Sequence, residues 1–196
     1  MITSEPIELS LPFKGARDYL RAADIFNEFF IELGDYEAFE MVLYQKMVHA
    51  LSLVPMTNLQ DKSFYSGLIF YTKHGENHIL GISENKQKRV ESRVPYDEEK
   101  LVCDAKIDRE NNAIELMHQA SHSFIDHIVA LNKKLLQQTL SSDAKWALTK
   151  LDLDTLPVEG HYTLKVVSNL GTKLVKSAIY VDEEPLGFIF FSDWAQ

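Results

Sequence analysis

Four titratable residues in the second half of the chain are spaced three or four apart: Glu115, His118, His122 and Asp126. On a helix this spacing projects them from one side. Imidazoles and carboxylates bind zinc or iron, and a neutral histidine beside a carboxylate is a competent general base near pH 7. Glu115, His118 and His122 are therefore catalytic candidates. The favoured interpretation of the group is a solvated helix flank.

A metal site is not predicted from this group. In the zinc motif HExxH a glutamate directly follows the first histidine, and Gln119 follows His118 here. The chain has one cysteine, Cys103, which excludes an internal disulfide and a CxxC metal site. We expect Cys103 to be a small buried hydrophobic residue. No cofactor is expected.

A second group of candidates joins a predicted strand to the first predicted helix. Lys14, Gly15 and Arg17 stand where backbone N–H groups can hold an anion, and an arginine there can grip a phosphate or carboxylate. These three are the substrate-binding candidates. Asp24, within the helix, is a further catalytic candidate. The simpler interpretation is an ordinary helix start with an exposed carboxylate.

One basic cluster stands out in an acidic chain: Lys86, Lys88, Arg89 and Arg93. The favoured role is to discourage pairing between the edges of sheets, and attraction of an acidic carrier or a nucleotide tail is the alternative. The whole chain has 20 lysines and arginines against 29 aspartates and glutamates, a net charge of −9. This charge disfavours nucleic acids and anionic membranes as partners.

The hydrophobic pattern gives the elements that must position these residues. Apolar stripes at spacings of three and four predict helices over Ala16–Leu33, ending at Gly34, and over Ile114–Leu140. Glu37–Val54 fits a helix and a long buried strand about equally. Strands are predicted elsewhere: Ile7–Phe13, Phe64–Lys73, His78–Ser83, Arg89–Val94, Leu101–Ile107, Trp146–Leu153, Tyr162–Val167, Lys173–Val181 and Leu186–Phe191.

The last predicted strand, Leu186–Phe191, is apolar on both faces. Such a strand is typical of the centre of a sheet, so we expect burial inside the chain, with a homodimer interface as the second choice. No apolar run approaches the roughly 20 residues of a membrane-spanning helix. With a single cysteine and no secretory signal in the sequence, a cytoplasmic protein is expected.

Each half of the chain runs from a strand through a long amphipathic helix to several strands. A curved antiparallel sheet wrapped around the helix buries the apolar stripe of such a helix. This order resembles the hotdog fold of acyl-thioester hydrolases and dehydratases, here as an α+β double-hotdog chain with halves 1–97 and 98–196. The resemblance covers the whole chain and rests on element order, without a family motif. A single α+β domain with helices on one face of an antiparallel meander is the alternative.

The resemblance implies an acyl-thioester site between the halves, with catalysis by an Asp, Glu or His near a helix start. It implies a hydrolase, dehydratase or binding protein for acyl-CoA or acyl-carrier thioesters. The alternative is a non-catalytic binding or assembly module that keeps the fold without an active site. Whether the chain is an enzyme stays open at this point.

Overall fold

The computed structural model describes residues 5–34, 36–60, 62–117, 123–141, 143–156 and 159–194. The chain divides into two compact units, Met1–Tyr96 and Asp97–Gln196. Within the described residues, each unit combines one long helix with antiparallel strands. The prediction of an α+β fold is confirmed at this level.

The first unit contains a set of antiparallel strands and a separate short pair. Its strands are β1 (Ile7–Leu9), β2 (Phe13–Lys14), β3 (Ala38–Leu43), β4 (His49–Met56), β5 (Gly67–Lys73), β6 (Glu76–Arg89) and β7 (Arg93–Val94). Five of them are hydrogen-bonded in the order β1-β4-β6-β5-β3, with antiparallel neighbours throughout. The strands β2 and β7 pair in parallel with each other.

The helix of the first unit, α1 (Ala22–Leu33), packs on this sheet through aromatic side chains. The ring of Phe29 lies 5.0 Å from that of Phe39 on β3 and 5.2 Å from that of Tyr71 on β5. Full burial of one such side chain stabilises the fold by about 1.5–3 kcal/mol. The helix ends as predicted at Gly34, whose φ of 67° suits glycine and whose N–H donates to the Phe30 carbonyl.

The second unit has a larger set of antiparallel strands. They are β8 (Lys106–Asp108), β9 (Ala113–Met117), β10 (Trp146–Leu153), β11 (His161–Asn169), β12 (Val175–Val181) and β13 (Glu184–Asp193). Their order is β10-β13-β12-β11-β9-β8. The apolar C-terminal strand β13 pairs with β10 on one side and β12 on the other. Its predicted burial inside the chain is therefore confirmed.

The second helix, α2 (Phe124–Thr139), buries the stripe that includes Ile128, Leu131 and Leu135. The ring of Phe124 meets that of Tyr162 on β11 edge-on, with centroids 5.7 Å apart. The helix therefore covers one face of its sheet, as the amphipathic pattern predicts. In the part of the chain that the structure describes, no helix is both long and apolar enough to cross a membrane.

Both helices begin later than the sequence predicts. The segment from Ala16 to Arg21 is irregular because its backbone bonds outside the helix: the Leu20 N–H donates to the Met47 carbonyl. Residues Ala113–Met117 form the strand β9 instead of a first helical turn, paired with β11 and β8. The prediction of a helix from Ile114 is wrong because cross-strand partners are available to this segment.

Three other predictions also change. The ambiguous segment Glu37–Val54 contains parts of two strands, β3 and β4, so the helical alternative is wrong. Leu101 lies in a short 3-10 turn, Glu99–Val102, and the strand predicted to begin there starts only at Lys106. Cys103 follows this turn and is exposed, not buried as predicted.

Candidate functional site

The structure brings four of the predicted site residues together in the first unit. Lys14 ends β2, Gly15 and Arg17 follow it, and Asp24 is the third residue of α1. Glu115 lies in the strand β9 of the second unit and not in a helix. His118 and His122 fall outside the described residues. Of the two predicted groups, the fold assembles the one around Asp24, and it places Glu115 of the other on a strand instead of a helix.

Asp24 is a buried carboxylate held by cations. Its Oδ1 lies 2.7 Å from the Lys14 Nζ, and its Oδ2 lies 3.9 Å from the Arg21 Nε. Asp24 is 4% exposed, so the expected exposed carboxylate is wrong. Oδ2 is buried and has no hydrogen-bond partner within the described residues. Because a buried charge is costly without a partner, the cations Lys14 and Arg21 offset the burial of this carboxylate.

Tyr96 provides the aromatic surface on which these cations gather. The Arg21 guanidinium lies 4.0 Å from the ring centroid, Lys14 Nζ 5.4 Å and the Arg17 guanidinium 5.5 Å. Each distance is within the range in which the ring quadrupole attracts a cation. The Tyr96 ring and the Asp24 carboxylate therefore together attract the side chains of Lys14, Arg17 and Arg21 to one place.

The segment that carries Lys14 and Arg17 is fixed by β7. The Gly15 N–H donates to the Val94 carbonyl at 2.9 Å. Arg93 Nη1 donates to the carbonyls of Gly15 and Arg17 at 2.5 Å and 2.6 Å. Gly15 has a φ of 60°, and a Cβ there would stand 3.1 Å from the Tyr96 carbonyl oxygen. A glycine is therefore needed at this position for both conformation and space.

Sequence reasoning missed Arg21, Arg93 and Tyr96 as members of this site. Arg93 was assigned to the basic cluster, but its guanidinium binds the 15–17 segment instead. The parallel pairing of β2 with β7 places Arg93 opposite Phe13, and no local pattern signals a pairing of two such short strands. Chemically, the assembled group can hold an ionised carboxylate and attract an anion at the same time.

The helix start of the second unit carries a different arrangement. Asp126 is the third residue of α2, and its Oδ2 accepts a hydrogen bond from Ser123 Oγ at 2.6 Å. The Ser123 Oγ in turn accepts from the Asp126 N–H at 3.4 Å. His127 is buried, with Nδ1 3.1 Å from the Ser123 carbonyl oxygen. Burial raises the pKa of the neighbouring Tyr162 to about 12, so its phenol is protonated at neutral pH.

Glu115 is exposed and is not on the same helix face as Asp126, contrary to the prediction. Its Oε2 lies 3.8 Å from the Nε2 of His161 on β11. The two were placed on one helix because their spacing fits a helical turn, but β9 ends at Met117 and α2 begins at Phe124. Among the described residues, no group of three or more His, Cys, Asp or Glu side chains could hold a metal ion.

Comparison with known proteins gives similar solved structures and no sequence relative. No family model matches the chain, and no curated protein matches its sequence. A protein described as a thioesterase from Novosphingobium aromaticivorans is 9% identical with a TM-score of 0.48, and the match covers 95% of this chain and 92% of that one.

Two further similar solved structures are a dehydratase domain and a second protein described as a thioesterase. The dehydratase domain of PpsC from Mycobacterium tuberculosis, in complex with C12:1-CoA, is 10% identical with a TM-score of 0.44, over 89% of this chain and 84% of that one. A protein described as an oleoyl thioesterase from Lactobacillus plantarum is 8% identical with a TM-score of 0.41, over 97% and 96%.

Proposed function

We propose that the chain is built from two hotdog-like units and binds an acyl thioester, which it hydrolyses with Asp24 as the general base. The fold supports this through one long amphipathic helix packed on antiparallel strands in each unit. The observation that carries the catalytic part is the buried Asp24 carboxylate at the start of α1, which is paired with Lys14 and receives no hydrogen bond at Oδ2 from the residues that the structure describes.

In the proposed reaction, Asp24 takes a proton from water while the water oxygen attacks the thioester carbonyl carbon. The tetrahedral intermediate then collapses, the carbon–sulfur bond breaks, and the thiolate leaves with the proton that Asp24 returns. The products are a carboxylic acid and a thiol. The cations around Tyr96 would stabilise the negative charge that develops on the carbonyl oxygen or hold an anionic part of the substrate.

Oδ2 is out of contact with solvent, so this reaction requires movement beside it. Movement of the 14–17 segment would need only the two-residue pairing of β2 with β7 and the Arg93 hydrogen bonds to break. The same carboxylate would serve a dehydratase, by taking a proton from the carbon next to the thioester and delivering it to the 3-hydroxyl group, so that the carbon–oxygen bond breaks and water leaves. The substrate panel therefore includes 3-hydroxyacyl-CoA.

The test is thiol release, and water loss from 3-hydroxyacyl-CoA, over a panel of acyl-CoA chain lengths. We expect Asp24→Asn to lower kcat by about 100-fold or more, the usual contribution of a positioned base, with circular dichroism unchanged. Glu32→Gln is the matched control, because Glu32 is an exposed carboxylate on the same helix. Asp126→Asn tests the other helix start.

Replacement of His118 and His122 by alanine tests the catalytic role predicted for them from sequence. Turnover that survives in Asp24→Asn but is lost in the histidine variants would move the catalytic site to the second unit. No turnover by the wild type, together with saturable binding of acyl-CoA in calorimetry, leaves a binding protein. If the wild type shows no turnover and no binding, the acyl-thioester proposal is contradicted, and the alternative of a non-catalytic assembly module remains.

A further inference from the structure

The strand β6 reaches well beyond its neighbour β5. Residues 76–82 pair with β5, and residues 79–82 of these pair with β4 as well, whereas the paired residues from Ser83 to Arg89 have β4 alone as a partner. Asn85 pairs with Ala50 and Arg89 pairs with His49, so residues 86–88 form an insertion between two consecutive partners on β4. An insertion of this kind breaks the regular alternation of side chains and redirects them.

A buried glutamate fixes the histidine at this insertion. Glu84 Oε1 accepts hydrogen bonds from the N–H groups of Val48 and His49 at 2.7 Å and 2.9 Å, and lies 2.9 Å from the His49 Nδ1. Burial raises the pKa of the Glu84 carboxyl, but these hydrogen bonds outweigh burial and hold the pKa below its ordinary value. An ionised carboxylate therefore orients the ring through Nδ1.

The other ring nitrogen of His49, Nε2, is available to bind a ligand. The side chain is 25% exposed, and no group in the described ranges bonds Nε2. When the ring is charged, Nε2 donates a hydrogen bond to an oxygen of the ligand. When the ring is neutral, Nε2 accepts a hydrogen bond from a hydroxyl group of the ligand. The contact is thus available in either state of the ring.

Three cations belong to the part of β6 that lies next to His49 along the pairing with β4. Arg89 is paired directly across from His49, so the two side chains leave the same face of the strands. Lys86 and Lys88 belong to the insertion, and all three cations are exposed. They form no ion pair with any residue that the structure describes. With Glu84 and Glu91 both included, residues 84–91 carry a net charge of +1 in a chain of net charge −9.

We propose that His49 and Arg89, with Lys86 and Lys88, form a binding site for a phosphate group. A guanidinium fork matches two phosphate oxygens, the oriented imidazole adds a third contact, and the lysines add charge that a dianion requires. A surface that served only to block edge pairing would not need a buried carboxylate to orient a histidine. The phosphate source is free phosphate or a phosphate ester of a nucleotide. The site does not depend on the acyl-thioester proposal.

The test is calorimetric titration of the full chain at constant ionic strength with two probes, inorganic phosphate and adenosine 3′,5′-bisphosphate. Neither contains a thioester, so failure here is distinct from failure of the Asp24 test. We expect saturable binding of at least one probe, with movement of the His49 ring signals in NMR spectra. Tighter binding of the bisphosphate identifies a nucleotide ester as the source, and binding of phosphate alone identifies the free ion.

Arg89→Gln should raise the Kd by about tenfold or more, because it removes a charge-assisted bidentate contact. Lys62→Gln is the control: Lys62 is an exposed lysine of the same unit, in the connection that leaves the opposite end of β4. It should leave the Kd unchanged. The proposal is overturned by the absence of saturable binding, by an equal effect of both substitutions, or by binding that leaves the His49 signals unmoved.

Discussion

The helices α1 and α2 both have an aspartate as their third residue, and both aspartates are buried, yet the two helix starts are built differently. In α2, Ser123 and Asp126 bond each other within one helical turn. In α1 the residue before the helix is Arg21, which makes no side-chain capping bond, and Asp24 is paired with Lys14 from a separate strand.

The difference separates a helix cap from a candidate reaction site. The reciprocal Ser123–Asp126 pair satisfies the backbone of α2 locally, as a capping box does. The start of α1 lacks such a cap and concentrates charge in the protein interior, which is an expensive arrangement unless it has a use. Local rules are most often broken at functional sites, so α1 is the better place to look for chemistry.

The largest effect should come from breaking the ion pair at α1. Lys14→Met removes the lysine partner and leaves the Asp24 carboxylate buried. We expect the free energy of unfolding in urea to fall by roughly 3 kcal/mol. Asp24→Asn should cost less, because the Lys14 side chain is 23% exposed and can turn to water.

The double variant Lys14→Met with Asp24→Asn should regain most of the loss. Lys14→Arg, which keeps the charge, is the control and should stay close to wild type. An unfolding midpoint for Lys14→Met equal to that of the wild type would mean that the ion pair does not stabilise the start of α1.

The next effect concerns the segment on which α1 depends. Gly15→Ala introduces a Cβ 3.1 Å from the Tyr96 carbonyl at a φ of 60°. We expect a loss of about 2 kcal/mol, since left-handed backbone alone costs an ordinary residue roughly 1–2 kcal/mol. Gly75→Ala is the matched control, with φ of 74° and nothing within 4 Å of its Cβ, and should cost only about 1 kcal/mol. Equal losses in thermal unfolding would show that space at Tyr96 does not matter.

A smaller effect should follow from removing the cap of α2. Ser123→Ala deletes the hydroxyl that accepts from the Asp126 N–H and should lower the free energy of unfolding by about 1 kcal/mol. Ser123→Thr retains the hydroxyl and should lose only a few tenths of a kcal/mol. If both variants unfold at the wild-type urea concentration, the local cap does not explain why α2 begins at Phe124.

The smallest effect tests a third buried carboxylate, one held mainly by hydrogen bonds. The pKa of Glu84 lies below its ordinary value in the folded protein, so its contribution to stability is present above that ordinary value and is lost as pH falls through the folded pKa. Glu84→Gln should be less stable than wild type at pH 7, and its stability should decline less steeply between about pH 5 and pH 3. Parallel stability curves for the two proteins would contradict this.

Elements whose signals are local could be predicted closely. The strand Trp146–Leu153 has the predicted bounds, and the turn that joins β5 to β6 lies between two predicted strands, with φ of 53° and 74° at His74 and Gly75. The turn between β12 and β13 also lies between two predicted strands, with positive φ at Asp182 and Glu183. Each depends on side-chain alternation and on turn residues that are adjacent in sequence.

Elements with two acceptable conformations could not be predicted. Ile114 and Met117 continue the apolar spacing of α2 toward the N-terminus, and they also fit a strand. The segment forms a strand because Leu116 and Ile114 pair with Tyr162 and Leu164 on β11, which are far away in sequence. The segment Glu37–Val54 was ambiguous for the same reason, since both its strands need partners supplied by β5 and β6.

For the candidate site, the sequence alone predicts that Lys14, Gly15 and Arg17 lie around the start of a helix that carries Asp24. This much is predictable because short-range spacing and helical periodicity are properties of neighbouring residues. The burial of Asp24 against Lys14, and the contacts of Tyr96 and Arg93 with the same cluster, depend on the tertiary structure. Those contacts join residues that are distant along the chain, and no local pattern encodes which of them the packing of strands and helix will bring within a few ångströms.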